Sequence, residues 1–381
     1  MPLYHSSALV LSFVATLLTG STQAIGRKFS TKSFWSDVRA SKATNIQYVG
    51  ETLRYLLAAP PQYDPGTGKC LDREHNVRQA FGNGLRPDIW DKFKDRFGVE
   101  TIVEFYASTE GPFGTWNRSS NDFAKGAMGR HGSIYGFFLG MKTRVIAMDE
   151  VTQEPLRDPA TGFCQRAPPG VPGEAIYKLP ADEVEKRFQG YYGNPEATEA
   201  KLLRDVFSKG DVWFRSGDLV RWDSEGRVFF HDRIGDTFRW KSENVSTAEV
   251  SEALGRHDAV KEANVYGVQL PHHDGRAGCA AVCLDGEPHE TTMRSLGKHV
   301  RKSLPRYAQP LFLRVVAAMG EESKHATGTN KQQKHALQKA GVRPDEANDG
   351  ELGRLFWLNG DSYVPFTTPD WTELDGGRVK L

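Results

Sequence analysis

The sequence predicts an α/β protein built as a large mixed region followed by a small α+β domain, and three observations carry that expectation. Short β-rich runs alternate with helical periodicity up to about residue 231, and a β pattern then ends in Gly235-Asp236 before a new alternation begins. Ser246-Thr247-Ala248-Glu249 is a capping box, which starts the second part with a helix. The expected division is residues 1–233, 234–345 and a C-terminal tail over 346–381. A chain of 381 residues, 39% hydrophobic and 25% charged, suits a soluble globular protein of two or three domains.

Taken in order, residues 8–18 form an apolar run followed by Gly20-Ser21-Thr22-Gln23-Ala24, which imitates a signal peptide's apolar region and cleavage site. No Lys or Arg precedes the run, and it is too short to span a bilayer. The helical spacing of Leu9, Phe13, Leu17 and Leu18 predicts a buried helix. Residues 60–66, with three prolines and a glycine, break into a loop. Residues 88–97 are amphipathic with Ile89, Trp90 and Phe93 on one side, and residues 101–106 make a strand that delivers the motif FYASTEG, 105–111. Strands follow at 143–148, 174–179, 212–215 and 227–231, the last entered by a hairpin turn at Asp223-Ser224-Glu225-Gly226. In the second part, strands are expected at 263–268, 277–284 and 311–316, with a helix through Met293, Leu296, Val300 and Leu304. The aromatic, Pro/Gly-punctuated stretch 355–381 is expected to lie on a domain surface.

Composition narrows the partners. Lys+Arg 49 against Asp+Glu 48 leaves a net charge of +1, so no global field draws in nucleic acid or anionic membrane, and phosphate recognition must come from a local site. Cys70, Cys164, Cys279 and Cys283 show no CxxC pairing, which argues against a disulfide framework or structural zinc and for a reducing compartment. His272-His273-Asp274 with Cys279 and Cys283 is not read as a metal site, because both cysteines fall in an apolar strand where cysteine acts as a small hydrophobe.

Several motifs carry chemistry in outline. Ser108-Thr109-Glu110-Gly111 places hydroxyls and a carboxylate at a strand end, suited to a phosphate contact from Thr109 and a magnesium contact from Glu110, or to a polar turn. Asp218 and Arg233 lie across the predicted hairpin, where strand pairing would bring them to one ligand as a ribose-holding acid and its neighbour, or leave them as a surface ion pair. Thr327-Gly328-Thr329-Asn330-Lys331 presents a lysine on a polar loop, either to follow charge developing on a phosphorus–carboxylate centre or as part of a solvated basic face. Phe81-Gly82-Asn83-Gly84 is a glycine-bearing loop, close enough in backbone to approach a base or simply a tight turn.

The joint order of these motifs resembles the acyl-adenylate-forming superfamily, and within it the fatty acid transport protein and very-long-chain acyl-CoA synthetase branch. The resemblance runs through PLYHS (2–6), QYVGETLRYLL (47–57), FGNGLRPDIW (81–90), FYASTEG (105–111), GVPGE (170–174), RSGDL (215–219), DRIGDTFRWKSENVSTAEV (232–250), HDGRAG (273–278), SLPRYAQP (303–310) and TGTNK (327–331). It implies the C-terminal part of the large adenylate-forming domain joined to a small mobile domain, with a hinge at residues 234–236. It also implies an AMP-forming ligase using ATP, Mg2+ and coenzyme A on a fatty carboxylate. By resemblance, Gly82, Asn83 and Gly84 would border the adenine with Tyr106 stacked near it, Thr109 and Glu110 would take phosphate and magnesium, and Asp218 and Arg233 the ribose. Lys331 would serve adenylation, His5 would gate the acyl carboxylate, and Arg239, Trp240, Lys241 and Ser242 would face thioester formation.

Two departures stand out. The family's phosphate-wrapping Ser/Thr/Gly-rich loop precedes the PLYHS motif, and this chain opens on that motif at Met1-Pro2-Leu3-Tyr4-His5, so an N-terminal subdomain is expected to be missing or supplied by a second chain. Ser242 stands where the branch has glycine, which would narrow the pantetheine passage or strain the turn. Two function classes follow: a fatty acyl-CoA ligase, or a non-catalytic accessory or scaffold relative. The resemblance further implies peripheral association with peroxisomal, endoplasmic reticulum or lipid-droplet membrane, and Val379-Lys380-Leu381 is a distant likeness of a peroxisomal address.

Overall fold

Parallel pairing opens the fold. In a computed structural model that describes residues 3, 5–108, 110–149, 152–317, 334–344, 353–379 and 381, strands β1 (Asn45–Val49), β2 (Gln79–Asn83) and β3 (Thr101–Ala107) run parallel, and β4 (Gly114–Ser119) returns antiparallel to β3. Helices Thr52–Ala58 and Pro87–Phe97 follow β1 and β2, as parallel strands require a crossover. Pro87 enters its helix at the first turn, where a missing N–H costs nothing, and Gly98 ends it with φ +68. The expected face is inside: Ile89, Trp90 and Phe93 are buried with Phe97 against Trp35, Leu53 and Ile102.

The second sheet is antiparallel, as the sequence predicted. It comprises β5 (Gly129–Arg130), β6 (Thr143–Ile146), β7 (Pro172–Leu179), β8 (Leu202–Arg204), β9 (Val212–Trp222) and β10 (Arg227–Arg233), in the order β5-β10-β9-β7-β6 with β8 on β9. β9 and β10 are joined by the turn at Asp223-Ser224-Glu225-Gly226.

After Arg233 a two-stranded ribbon, β11 (Phe238–Trp240) with β12 (Glu243–Val245), leads into the helix Thr247–Gly255, whose start is capped by the Ser246 hydroxyl accepting from the Glu249 amide at 3.2 Å. Strands β13 (Val260–Gln269), β14 (Arg276–Leu284), β15 (Phe312–Val315), β16 (Arg354–Asn359) and β17 (Ser362–Pro365) then form one five-stranded sheet in that order. Val250, Leu254, Met293, Leu296 and Val300 pack from its helices onto Val265, Val282 and Phe312.

Two expectations change. Of the expected surface tail over 346–381, the described residues 353–379 do not lie on the surface as a tail: β16 and β17 extend the sheet, with Leu355, Phe356, Tyr363 and Phe366 buried in its core. Phe356, Tyr363 and Phe366 belong to that core, Gly360 lies in the hairpin between β16 and β17, and Pro369 stands at the start of the helix Thr368–Asp375. The apolar segment at residues 8–18 is helical, running through Ser6–Ala8, Leu9–Val14 and Ala15–Thr19, but Leu17 and Leu18 remain 66% and 82% exposed. Helical spacing specifies one apolar face; it does not supply the surface that would bury it. Among the described residues, no helix is long and apolar enough to cross a membrane.

Candidate active site

The β9–β10 hairpin places Asp218 directly across from Arg233. The turn is held by Asp223, whose Oδ1 accepts from the amides of Glu225 (3.0 Å) and Arg227 (2.9 Å), and a bulge between Phe230 and Asp232 shifts the pairing by one residue to set this register. Arg233 Nε lies 3.4 Å from Asp218 Oδ1, and the Tyr106 hydroxyl donates to Oδ2 at 2.6 Å. Burial pushes the Asp218 carboxyl above its usual range, opposed by the Tyr106 hydrogen bond and the charges of Arg233 and Lys201. Tyr106 is itself raised, first by burial and then by the Asp218 charge, so it stays a neutral donor. The aromatic side chains Tyr106, Phe113, Tyr177 and Phe214, with Ile176 and Ser216, line a cleft beside this corner. A carboxylate aimed by a tyrosine and balanced by an exposed arginine is equipped to accept from vicinal hydroxyls.

Glu110 follows in the same motif, and its Oε1 accepts from the Tyr191 hydroxyl at 3.0 Å. Among the described residues no group of three His, Cys, Asp or Glu assembles a cation cage. A lone carboxylate still fits magnesium, which keeps several waters and binds through one or two carboxylates plus substrate phosphate. Thr109 and Lys331 lie outside the described residues.

The loop at Gly82-Asn83-Gly84 closes β2. Gly84 has φ +83, and its amide and that of Leu85 (3.0 Å) both donate to Glu104 Oε1, while the Tyr48 hydroxyl donates to Glu104 Oε2. Neither Glu104 nor Tyr48 was marked by the sequence reading. The available signal was a carboxylate inside the apolar run at 101–106, a position that burial punishes unless partners are waiting. Lys201, whose Nζ donates to the Ser216 carbonyl at 3.1 Å, and Tyr191 were likewise unmarked.

The remaining predicted positions stand on other elements. His5 is half-buried and its Nδ1 accepts from the Ser7 amide at 3.3 Å, capping the first helical turn. Arg239 and Trp240 end β11, and Lys241 and Ser242 make the two-residue turn into β12 with φ of +51 and +69. Lys241 Nζ donates to the Leu381 carbonyl at 2.6 Å, and the Trp240 ring lies 5.6 Å from that of His273. In the expected hinge, Gly235 has φ +90 and Asp236 pairs with Lys334 at 2.9 Å.

The AMP-binding enzyme family matches residues 1–192 and the AMP-binding enzyme C-terminal domain matches residues 249–326. A very long-chain fatty acid transport protein of Cochliobolus heterostrophus is 41% identical over 100% of this chain and 57% of its own length. Isopenicillin N epimerase component 1 of Hapsidospora chrysogena is 42% identical over 99% of this chain and 61% of its own length. The chain thus spans about three-fifths of these relatives. In fold, it is similar to the ATP-bound RpMatB-BxBclM chimera B1, with a TM-score of 0.67 at 22% identity over 89% of this chain and 59% of that one. O-succinylbenzoate coenzyme A synthetase of Bacillus subtilis, solved with ATP and magnesium ion, gives 0.61 at 22% identity over 89% and 60%. The two matched domains, which lie in order on this chain, make it a member of the AMP-binding enzyme family.

Proposed function

We propose that this chain belongs to an AMP-forming fatty acyl-CoA ligase, converting a carboxylate, ATP and coenzyme A to acyl-CoA, AMP and pyrophosphate. The observation that carries the reading is the Tyr106–Asp218–Arg233 corner, assembled by strand register from three separate motifs. In the first step a carboxylate oxygen attacks the α-phosphorus and pyrophosphate leaves; in the second the thiol attacks the acyl carbon, AMP leaves and the thiol proton is lost. Asp218 and Arg233 hold the ribose, Gly82, Asn83 and Gly84 border the adenine beside Tyr106, and Thr109 and Lys331 meet the phosphate and the developing charge. Glu110 would hold magnesium, which supplies charge neutralisation on the phosphates. His5 borders the acyl carboxylate. Arg239, Trp240, Lys241 and Ser242 face coenzyme A, with residues 1–233 and 234–345 moving about residues 234–236. The relatives named as very long-chain and long-chain fatty acid transport proteins support a long-chain fatty acid as substrate; a place at the periphery of a peroxisomal, reticular or lipid-droplet membrane is part of the same proposal.

A second reading, a non-catalytic accessory that binds nucleotide and a second chain, is favoured by exposed apolar residues such as Leu18 (82%) and Ile134 (79%). Pyrophosphate exchange into ATP with a long-chain fatty acid separates the two. The ligase reading expects exchange, reduced about tenfold or more by Asp218→Ala, which removes a charged acceptor. AMP binding without exchange supports the accessory reading, and neither activity removes both.

A further inference from the structure

We infer that Glu104 is a positioning residue for the nucleotide-facing loop, fixing the Gly84 and Leu85 amides through one carboxyl oxygen while Tyr48 anchors the other. The inference rests on the reading that this loop borders the adenine.

Strand register builds the arrangement. Tyr48 on β1 pairs with Gly82 on β2, and Gly82 pairs with Glu104 on β3, so the three residues form one row across parallel strands. Glycine in the middle of that row lets the tyrosine ring cross it: a Cβ at Gly82 would fall within 2.6 Å of the ring carbons Cγ and Cδ2 of Tyr48. The Tyr48 hydroxyl thereby reaches Glu104 two strands away. Gly82 accordingly has an internal reason to be glycine, apart from any ligand. Gly84 turns the chain with φ +83 and sends its amide, with that of Leu85, onto the other Glu104 oxygen.

The same strand serves both halves of the nucleotide site. Glu104 and Tyr106 are two residues apart on β3 and so share a face; one grips the 82–85 loop and the other aims Asp218. Glu104 is 4% exposed, and burial pushes its carboxyl up to about 8 although its three donors pull the other way. Glutamine is the neutral isostere of this raised carboxyl: it keeps a carbonyl acceptor for the two amides, and its NH2 stands where Oε2 accepts from the Tyr48 hydroxyl, so that contact persists only in the reverse sense, the amide donating to the tyrosine oxygen.

The test uses the whole chain carrying Glu104→Leu, Glu104→Gln or Tyr48→Phe. Amide hydrogen exchange at Gly84 and Leu85 and AMP affinity by calorimetry are measured beside thermal unfolding. Glu104→Leu should speed exchange at both amides and weaken AMP binding, each by about tenfold, while Glu104→Gln stays within about twofold of the parent. A folded Glu104→Leu protein with parental exchange and affinity overturns the inference, as does a Glu104→Gln protein that loses as much as Glu104→Leu. Should Glu104→Leu not fold, Tyr48→Phe decides: faster exchange at Gly84 and Leu85 supports the inference and unchanged exchange overturns it. A parent that binds no AMP removes the nucleotide reading and, with it, the loop's nucleotide role, while exchange still tells whether Glu104 holds the loop.

Discussion

The hairpin between β9 and β10 turns through Asp223-Ser224-Glu225-Gly226 and puts glycine where φ is +76, whereas the hairpin between β11 and β12 turns on Lys241 and Ser242 with φ of +51 and +69. The left-handed region costs a residue with a Cβ roughly 1 kcal/mol, so the second hairpin carries strain that the first avoids. Their surroundings differ in the same sense. The first is tied to the scaffold by two amides on Asp223 and by the His131 amide on the Gly226 carbonyl at 2.9 Å. The second is tied at its tip by the Lys241 ammonium on the Leu381 carbonyl. The rigid hairpin sets the spacing of Asp218 and Arg233; the strained one carries the four residues assigned to coenzyme A. Strain kept at a surface turn is an observation from which a functional role can be argued.

The sharpest way to break the contrast is Gly226→Ala. A Cβ there would fall on the His131 carbonyl oxygen and force a left-handed alanine at once, so the backbone must move. We expect a loss of about 3 kcal/mol in urea unfolding, with AMP affinity falling in step as the Asp218–Arg233 register loosens. A loss below about 1 kcal/mol would show that the scaffold hairpin is no more rigid than the other.

Asp223→Ala should cost less, about 1.5 kcal/mol, because two amides and Arg227 lose a charged acceptor while the glycine remains. This change also has a pH signature. Partial burial raises the Asp223 carboxyl, but the Arg227 amide, its guanidinium and the Glu225 amide outweigh that and hold it below the ordinary 3.8. A depressed carboxyl contributes stability above the unfolded value and loses it as the pH falls through the lower folded value. Unfolding midpoints measured from neutral pH downward should therefore decline less steeply below about 3.8 in Asp223→Ala than in the parent.

How much of this was legible in the sequence depended on the range of the interaction. That Asp218 and Arg233 approach each other could be read from about fifteen residues of alternating pattern around a turn, although the bulge between Phe230 and Asp232 that sets them directly opposite could not, and the helix after Ser246 could be read from four residues of capping chemistry. The Tyr48–Gly82–Glu104 row could not, since it depends on the lateral register of three strands separated by two helices. Periodicity says which face of a strand is inside, not which residues of distant strands stand abreast. The same limit explains β16 and β17, whose aromatic residues look like surface anchors until β15 supplies their partner. Exposed Leu17 and Leu18 mark the opposite case, where local pattern is satisfied and no tertiary surface answers it.

Ser242→Gly is the smallest expected effect and the one that tests the strained hairpin most directly. Removing the Cβ from a residue at φ +69 should raise the unfolding midpoint by an amount equivalent to about 1 kcal/mol, less the extra entropy glycine gives the unfolded chain. The turn then approaches the glycine-bearing type that two-residue hairpins favour, and the backbone at that position is left free of a side chain that would crowd a pantetheine arm. Supplied with acyl-AMP and coenzyme A, the variant should form thioester up to about fivefold faster, the rate equivalent of that strain. Both readouts rising together would place the strain on the coenzyme A path. A stabler protein with parental thioester rate would leave the turn strained but detach it from the second half-reaction, since relief of a barrier at Ser242 is the one consequence a purely structural turn cannot produce.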